Sequence, residues 1–197
     1  MLSSVLSLWI TKLSYPLFNQ ILMMPFNTYI DESARENFLL CGINVQQSQI
    51  HDTRDALRVF RAKGRSHIHM YQEDRSTQEA VASFIGTLPI TGWLVSVSSQ
   101  TAKEPLSRNL ALRSLEDINS LRGSRLLTLD DISCRRSDSQ ILREVARGVD
   151  YQFPHYRHMN SRHEPLLWLP DIVAWCYGRG GPWREAVEPL VNEVIEL

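Results

Sequence analysis

Two runs near the start of the chain, Thr28-Tyr29-Ile30-Asp31-Glu32-Ser33 and Phe38-Leu39-Leu40-Cys41-Gly42-Ile43-Asn44-Val45, set the reading of everything downstream. The first is β-branched and aromatic and gives way to acids at Asp31. The second is almost continuously apolar. The short polar stretch between them makes a hairpin the simplest arrangement.

Downstream the pattern changes to an alternation of helices and strands. Ser48 to Lys63 carries Ile50, Leu57, Val59 and Phe60 among many charges and reads as an exposed helix stopped by Gly64. Ser66-His67-Ile68-His69-Met70 alternates and predicts a short strand. Thr77 to Leu88 has Val81, Phe84, Ile85 and Leu88 at helical spacing. Trp93 to Val97 reads as a strand, Leu106 to Leu121 as a helix, and Arg125 to Leu129 as a strand closing on Asp130-Asp131. Ser137 to Arg147 is helical, Val149 to Phe153 reads as one more strand, and a His-rich loop follows. Two helices close the chain, one around Pro170 to Tyr177 and one over Pro182 to Glu196. Antiparallel strands followed by alternating helix and strand define an α/β fold with a mixed sheet of five to six strands flanked by helices.

The 197 residues carry 21 Lys plus Arg against 22 Asp plus Glu, a balance that excludes a strongly basic nucleic-acid coat. Residues 25–197 fit one domain. Residues 1–24 read as a loosely attached extension whose one charge is Lys12. It lacks the basic start of a signal peptide, and its Pro, Asn, Gln and Ser residues argue against stable membrane insertion. Cys41, Cys134 and Cys176 are scattered and odd in number, which points to a reducing compartment, the cytoplasm. The sequence sets no oligomeric state.

The acids carry the functional signal. Asp31 and Asp130 each follow residues suited to a buried strand, and ligands of α/β sheets collect at strand ends. Asp also begins turns well, so each is open to a purely structural reading. Asp171 stands in an apolar helix, on one face with Leu167, Ala174, Trp175 and Gly178. Pro170 in the first turn gives Asp171 a structural reading too, as an acid favoured by the helix dipole. That contribution, roughly 0.3–1 kcal/mol, does not account for a carboxylate among tryptophans. Converging carboxylates repel one another, and an oxygen-only donor set favours Mg²⁺ or Mn²⁺ over Zn²⁺.

These residues resemble a widespread prokaryotic family, domain-of-unknown-function family 3800. That family opens with Tyr-Ile-Asp-Glu-Ser-Gly and an apolar second strand, matched by Tyr29-Ile30-Asp31-Glu32-Ser33 and Phe38-Leu39-Leu40-Cys41-Gly42. It closes with a Leu-Gln-x-Ala-Asp helix, which Leu167-Trp168-Leu169-Pro170-Asp171 resembles. The Glu164-Pro165-Leu166-Leu167-Trp168 stretch looks like a branch common in actinobacterial proteins. The similarity runs over about residues 27–180, with its specific motifs at the two ends. It implies a ribonuclease-H-like fold and a metal-dependent nuclease or phosphoesterase using Mg or Mn. Asp31 and Asp171 match the family's metal-holding acids. Asp130, or Asp131 in its place, would be the third ligand, with Glu32 or Glu73 as a fourth acid. Ala34, Trp168 and Pro170 depart from the family's Gly, Gln and Ala. Those departures support the alternative, a non-catalytic binding or regulatory protein on the same fold.

Other groups are weaker. His67, His69, His155, His158 and His163 lack zinc-ligand spacing and read as solvated, with His69 the best placed to join the acids near Glu73. Arg54, Arg58, Arg61, Lys63 and Arg65 form either a nucleic-acid backbone patch or a solvated helix face. Arg135 and Arg136 would either meet a phosphate or pair with Asp130-Asp131.

Overall fold

In the computed structural model, which describes residues 25–130 and 135–197, the predicted hairpin is formed by β1 (Phe26–Ala34) and β2 (Asn37–Gln46). Then come α1 (Ile50–Val59), α2 (Arg75–Gly86), β3 (Thr91–Ser98), α3 (Leu106–Arg113) and β4 (Ser124–Asp130). α4 (Arg135–Gly148), β5 (His155–Met159), α5 (Trp168–Arg179), α6 (Gly181–Val187) and β6 (Val191–Glu196) complete it. The six strands form one sheet in the order β5-β4-β1-β2-β3-β6. β2 is antiparallel to both neighbours, while the β1–β4, β4–β5 and β3–β6 pairs are parallel.

β1 is central, and helices cover both faces of the sheet. Tyr29 therefore enters one core, with Cys41, Ile43 and the apolar residues of α5. Ile30, its neighbour, enters the other, with Leu112 of α3 and Leu142 of α4. This period-two alternation fixes which side each later residue of β1 faces. Between β2 and β3 the indole of Trp93 lies across Gly42, where a Cβ would come 2.1 Å from Cζ2. Only glycine allows that close approach.

Several expectations are corrected. β1 runs on to Ala34, so Asp31 and Glu32 lie within the strand, and only Arg35 and Glu36 separate it from β2. Ser66–Met70 is not a strand: β1 and β3 already occupy both sides of β2. Its alternation reflects burial, since Ile68 and Met70 are core residues. The fifth strand is His155–Met159, not Val149–Phe153. The closing helix ends at Val187; Pro189 breaks it, and Val191–Glu196 pairs with β3. α3 stops at Arg113 and continues as two short 3₁₀ turns to Gly123. The expected extension 1–24, Asp131 and Cys134 lie outside the described residues. Among the described residues no helix is long and apolar enough to cross a membrane.

Candidate functional site

Register brings the first two acids level. Ile30 of β1 pairs with Leu129 of β4, and one residue further on each parallel strand stand Asp31 and Asp130. Ile30 and Leu129 share one core, so the two acids face the opposite side, that of α5. Asp171 enters from there, in the first turn of α5. All three line one cavity of about 260 Å³, together with His67, His69, Ser161 and Trp168.

Each aspartate has one oxygen engaged by the protein. Asp31 Oδ1 accepts the Glu32 N–H at 2.8 Å, and Asp130 Oδ1 accepts the Ser161 N–H at 2.8 Å. Asp171 Oδ2 faces His69 Nδ1 at 3.2 Å. The second oxygen of each has no hydrogen-bond partner among the described residues. Burial lifts the Asp31 carboxyl well above its ordinary value, and the charges of Asp171, Glu32 and Asp130 push the same way. The Asp171 hydrogen bond raises His69, against its partial burial. Burial, with the charges of Asp31 and Asp171, pushes the thiol of Cys41, opposite Asp31 on β2, well above its ordinary value, which disfavours the nucleophilic thiolate.

A link from α5 steadies Asp130. Trp168 donates its indole N–H to the Ser161 carbonyl at 2.7 Å, and the Ser161 N–H in turn reaches Asp130. Trp168 thus supplies a polar contact where its ring type suggests only core packing.

The remaining predicted acids are placed differently. Glu32 lies on the other side of β1, where its Oε2 is 2.5 Å from Arg108 Nη1, although off the N–H direction. The same guanidinium makes a fork on Asp138 at 3.0 and 2.8 Å, and His158 Nε2 is 3.2 Å from Asp138 Oδ2. Glu32 borders the cavity but is committed to this buried ionic group. Glu73 follows a 3₁₀ turn and does not line the cavity. His155 and His158 belong to β5, not to a solvated loop. Arg135 and Arg136 open α4 and do not line the cavity either. In the basic run, Arg54 forks onto buried Glu164, Arg58 pairs with Asp55 and Arg65 bonds Gln72, which weakens its reading as a nucleic-acid patch.

Among the described residues, no group of three or more His, Cys, Asp or Glu closes into a ligand set as the side chains stand. The donor chemistry still suits a hard divalent cation: three carboxylates on one cavity, each with an oxygen unengaged among the described residues.

No protein-family model matches the sequence, and the search of curated proteins gave no match. Solved structures do match. Bst-RNase HIII, solved with Mn²⁺, superposes with a TM-score of 0.50 at 12% identity, over 78% of this chain and 51% of that one. A chain of the Archaeoglobus fulgidus PCNA–RNase HII complex gives 0.49 at 17% identity, over 85% of this chain and 76% of that one. This chain spans about half the length of the RNase HIII chain. The mixed six-stranded sheet and the RNase HIII match define the class: an α/β protein of ribonuclease-H-like fold.

Proposed function

We propose that this chain is a divalent-metal-dependent phosphodiester hydrolase acting on nucleic acid, with Asp31, Asp130 and Asp171 as its metal-holding residues. One observation carries the reading: three aspartates from β1, β4 and α5 line a single cavity, each with one oxygen held by the protein and one unengaged among the described residues. The Mn²⁺ in the RNase HIII structure supports the same ion class here. When bound, Mg²⁺ or Mn²⁺ supplies charge stabilisation at the phosphate oxygens and a more acidic water.

The chain's own residues do the rest. Ser161 holds Asp130 in place, and Trp168 holds Ser161. His69, with Nδ1 against Asp171, has its other ring nitrogen to carry a proton at the edge of the cavity. Glu32, held by Arg108, shapes the wall. Residues 25–197 would act as one domain after the 1–24 extension. The motif similarity to domain-of-unknown-function family 3800 supports membership of that family, and the buried free thiols of Cys41 and Cys176 suit the cytoplasm.

The test is cleavage of end-labelled RNA, DNA and RNA–DNA hybrid in Mn²⁺. Cleavage lost in Asp31→Asn, Asp130→Asn and Asp171→Asn supports the reading. Cleavage that survives all three replacements overturns it. The second reading, a non-catalytic binding protein, is favoured by the His69–Asp171 pair and by the carboxylates' not closing into a ligand set. It predicts a folded wild type that cleaves none of these substrates.

A further inference from the structure

Beside the acid cavity lies a second one of about 470 Å³, and Glu32, His69 and Asp171 line both. Its outer wall is formed by Tyr71, Arg35 and Trp175. Arg35 also lines a third cavity of about 270 Å³, bordered by Tyr177 and Arg184. The three therefore run together as a track that begins at the aspartates and passes the β1–β2 turn.

The chemistry along the track is unlike that at its head. Tyr71 is 77% exposed, a large ring left against water. Arg35 is exposed, sits 5.2 Å from the centre of the Trp175 ring, and makes no ion pair among the described residues. Arg184 lies over Tyr177 at 4.0 Å. Arg35, Tyr71 and Trp175 thus stand directly outside the acidic centre; further along, Arg184 pairs with Glu188 at 3.4 Å, and Glu36 and Glu196 share the third cavity. A polyanion approaching that centre meets repulsion from the aspartates, and cations alongside offset it. Rings stack on bases without regard to sequence, and guanidinium groups follow the phosphates.

The geometry points to this track as a binding groove for single-stranded nucleic acid, with a base stacked on Tyr71 and a backbone phosphate on Arg35. An unpaired strand is required because a base inside a duplex has both faces covered and none to offer Tyr71. The inference rests on the acid cavity's being a phosphodiester-cleaving centre, and it names the form of substrate presented there.

The test is fluorescence anisotropy of the full chain with labelled 12-nucleotide RNA and DNA, single-stranded and duplex, in EDTA so that nothing is cleaved. Single strands bind more tightly than duplex. Tyr71→Ala weakens binding roughly tenfold, Tyr71→Phe does not, and neither changes the salt dependence. Arg35→Ala weakens binding and lowers the salt slope by about 0.7. Binding of RNA, of DNA or of both supports the groove and identifies the strand it takes. Tighter binding of duplex, no binding of single strands, or binding insensitive to Tyr71→Ala overturns it. A parallel assay, Mn²⁺-dependent hydrolysis of bis(p-nitrophenyl) phosphate by the wild type, separates the two claims. Hydrolysis without strand binding removes the groove alone. Strand binding without hydrolysis of that ester or of nucleic acid removes the catalytic reading alone.

Discussion

The indole N–H of Trp168 donates to the carbonyl of Ser161 at 2.7 Å, and through Ser161 the start of α5 is tied to Asp130 at the end of β4. Two of the three aspartates are thereby set by one short segment. Asp171 follows Trp168 by three residues, and Asp130 is bonded to the residue that Trp168 holds.

Replacing Trp168 by Phe keeps a ring in the core and deletes the donor. We expect a stability loss of about 1–3 kcal/mol from the unsatisfied carbonyl and the lost volume. Mn²⁺ affinity should fall about tenfold, as for other groups that orient ligands. Denaturant unfolding and calorimetry of the same variant check both. A stability loss with unchanged Mn²⁺ affinity would reduce Trp168 to packing.

Arg108 is 4% exposed and lies between Glu32 and Asp138. Arg108→Met leaves two carboxylates without their cation in a core. The expected cost is about 3–5 kcal/mol, read from urea denaturation. A cost below about 1 kcal/mol would show that the buried group is not an ionic unit.

Asp138 gives the pH dependence of that unit. Burial raises its carboxyl, but the hydrogen bonds from His158 and Arg108 and the Arg108 charge outweigh it and hold the group below its ordinary 3.8. A depressed carboxylate stabilises the fold above its unfolded value, and that stability is lost as pH falls through the folded value. Wild type should therefore lose stability on acidification below about pH 4, and Asp138→Asn should be less stable at neutral pH with a flatter acid limb. Stability curves of the two proteins from pH 2 to 7 make the comparison. Parallel acid limbs would rule this contribution out.

Asp31 makes the opposite prediction. It is half-buried beside Asp130 and Asp171, and its Oδ1 accepts the backbone N–H of Glu32. Asp31→Asn removes a desolvated charge and its repulsion, and should stabilise the metal-free protein by about 1–2 kcal/mol while abolishing the proposed cleavage. Thermal unfolding in EDTA is the measurement. A lower melting temperature would mean that the carboxylate is there for the fold.

The hairpin and the acids were legible because they have local signatures. Thr28 to Ile30 and Phe38 to Val45 are apolar runs, and acids break such runs, Asp31 within β1 and Asp130 at the end of β4. β5 was not legible, because His155, Arg157 and His158 make an edge strand look like a polar loop. β6 was hidden by Glu193 and Glu196, which suit a helix until Pro189 is given its weight. The Arg108–Asp138 pair spans 30 positions and the His69–Asp171 pair 102, and no local pattern encodes either. One clue did exist: Asp138 stands on the same face of α4 as Ile141, Leu142 and Val145, where an acid needs a partner.

The claim that matters most is that Asp31, Asp130 and Asp171 together hold a divalent cation. Calorimetric titration of Mn²⁺ into the wild type and into Asp171→Asn tests it most directly, with circular dichroism to show that both are folded. The account predicts saturable binding to the wild type and its loss in the variant. A folded wild type that binds no Mn²⁺, or a variant that binds it equally well, would contradict the account.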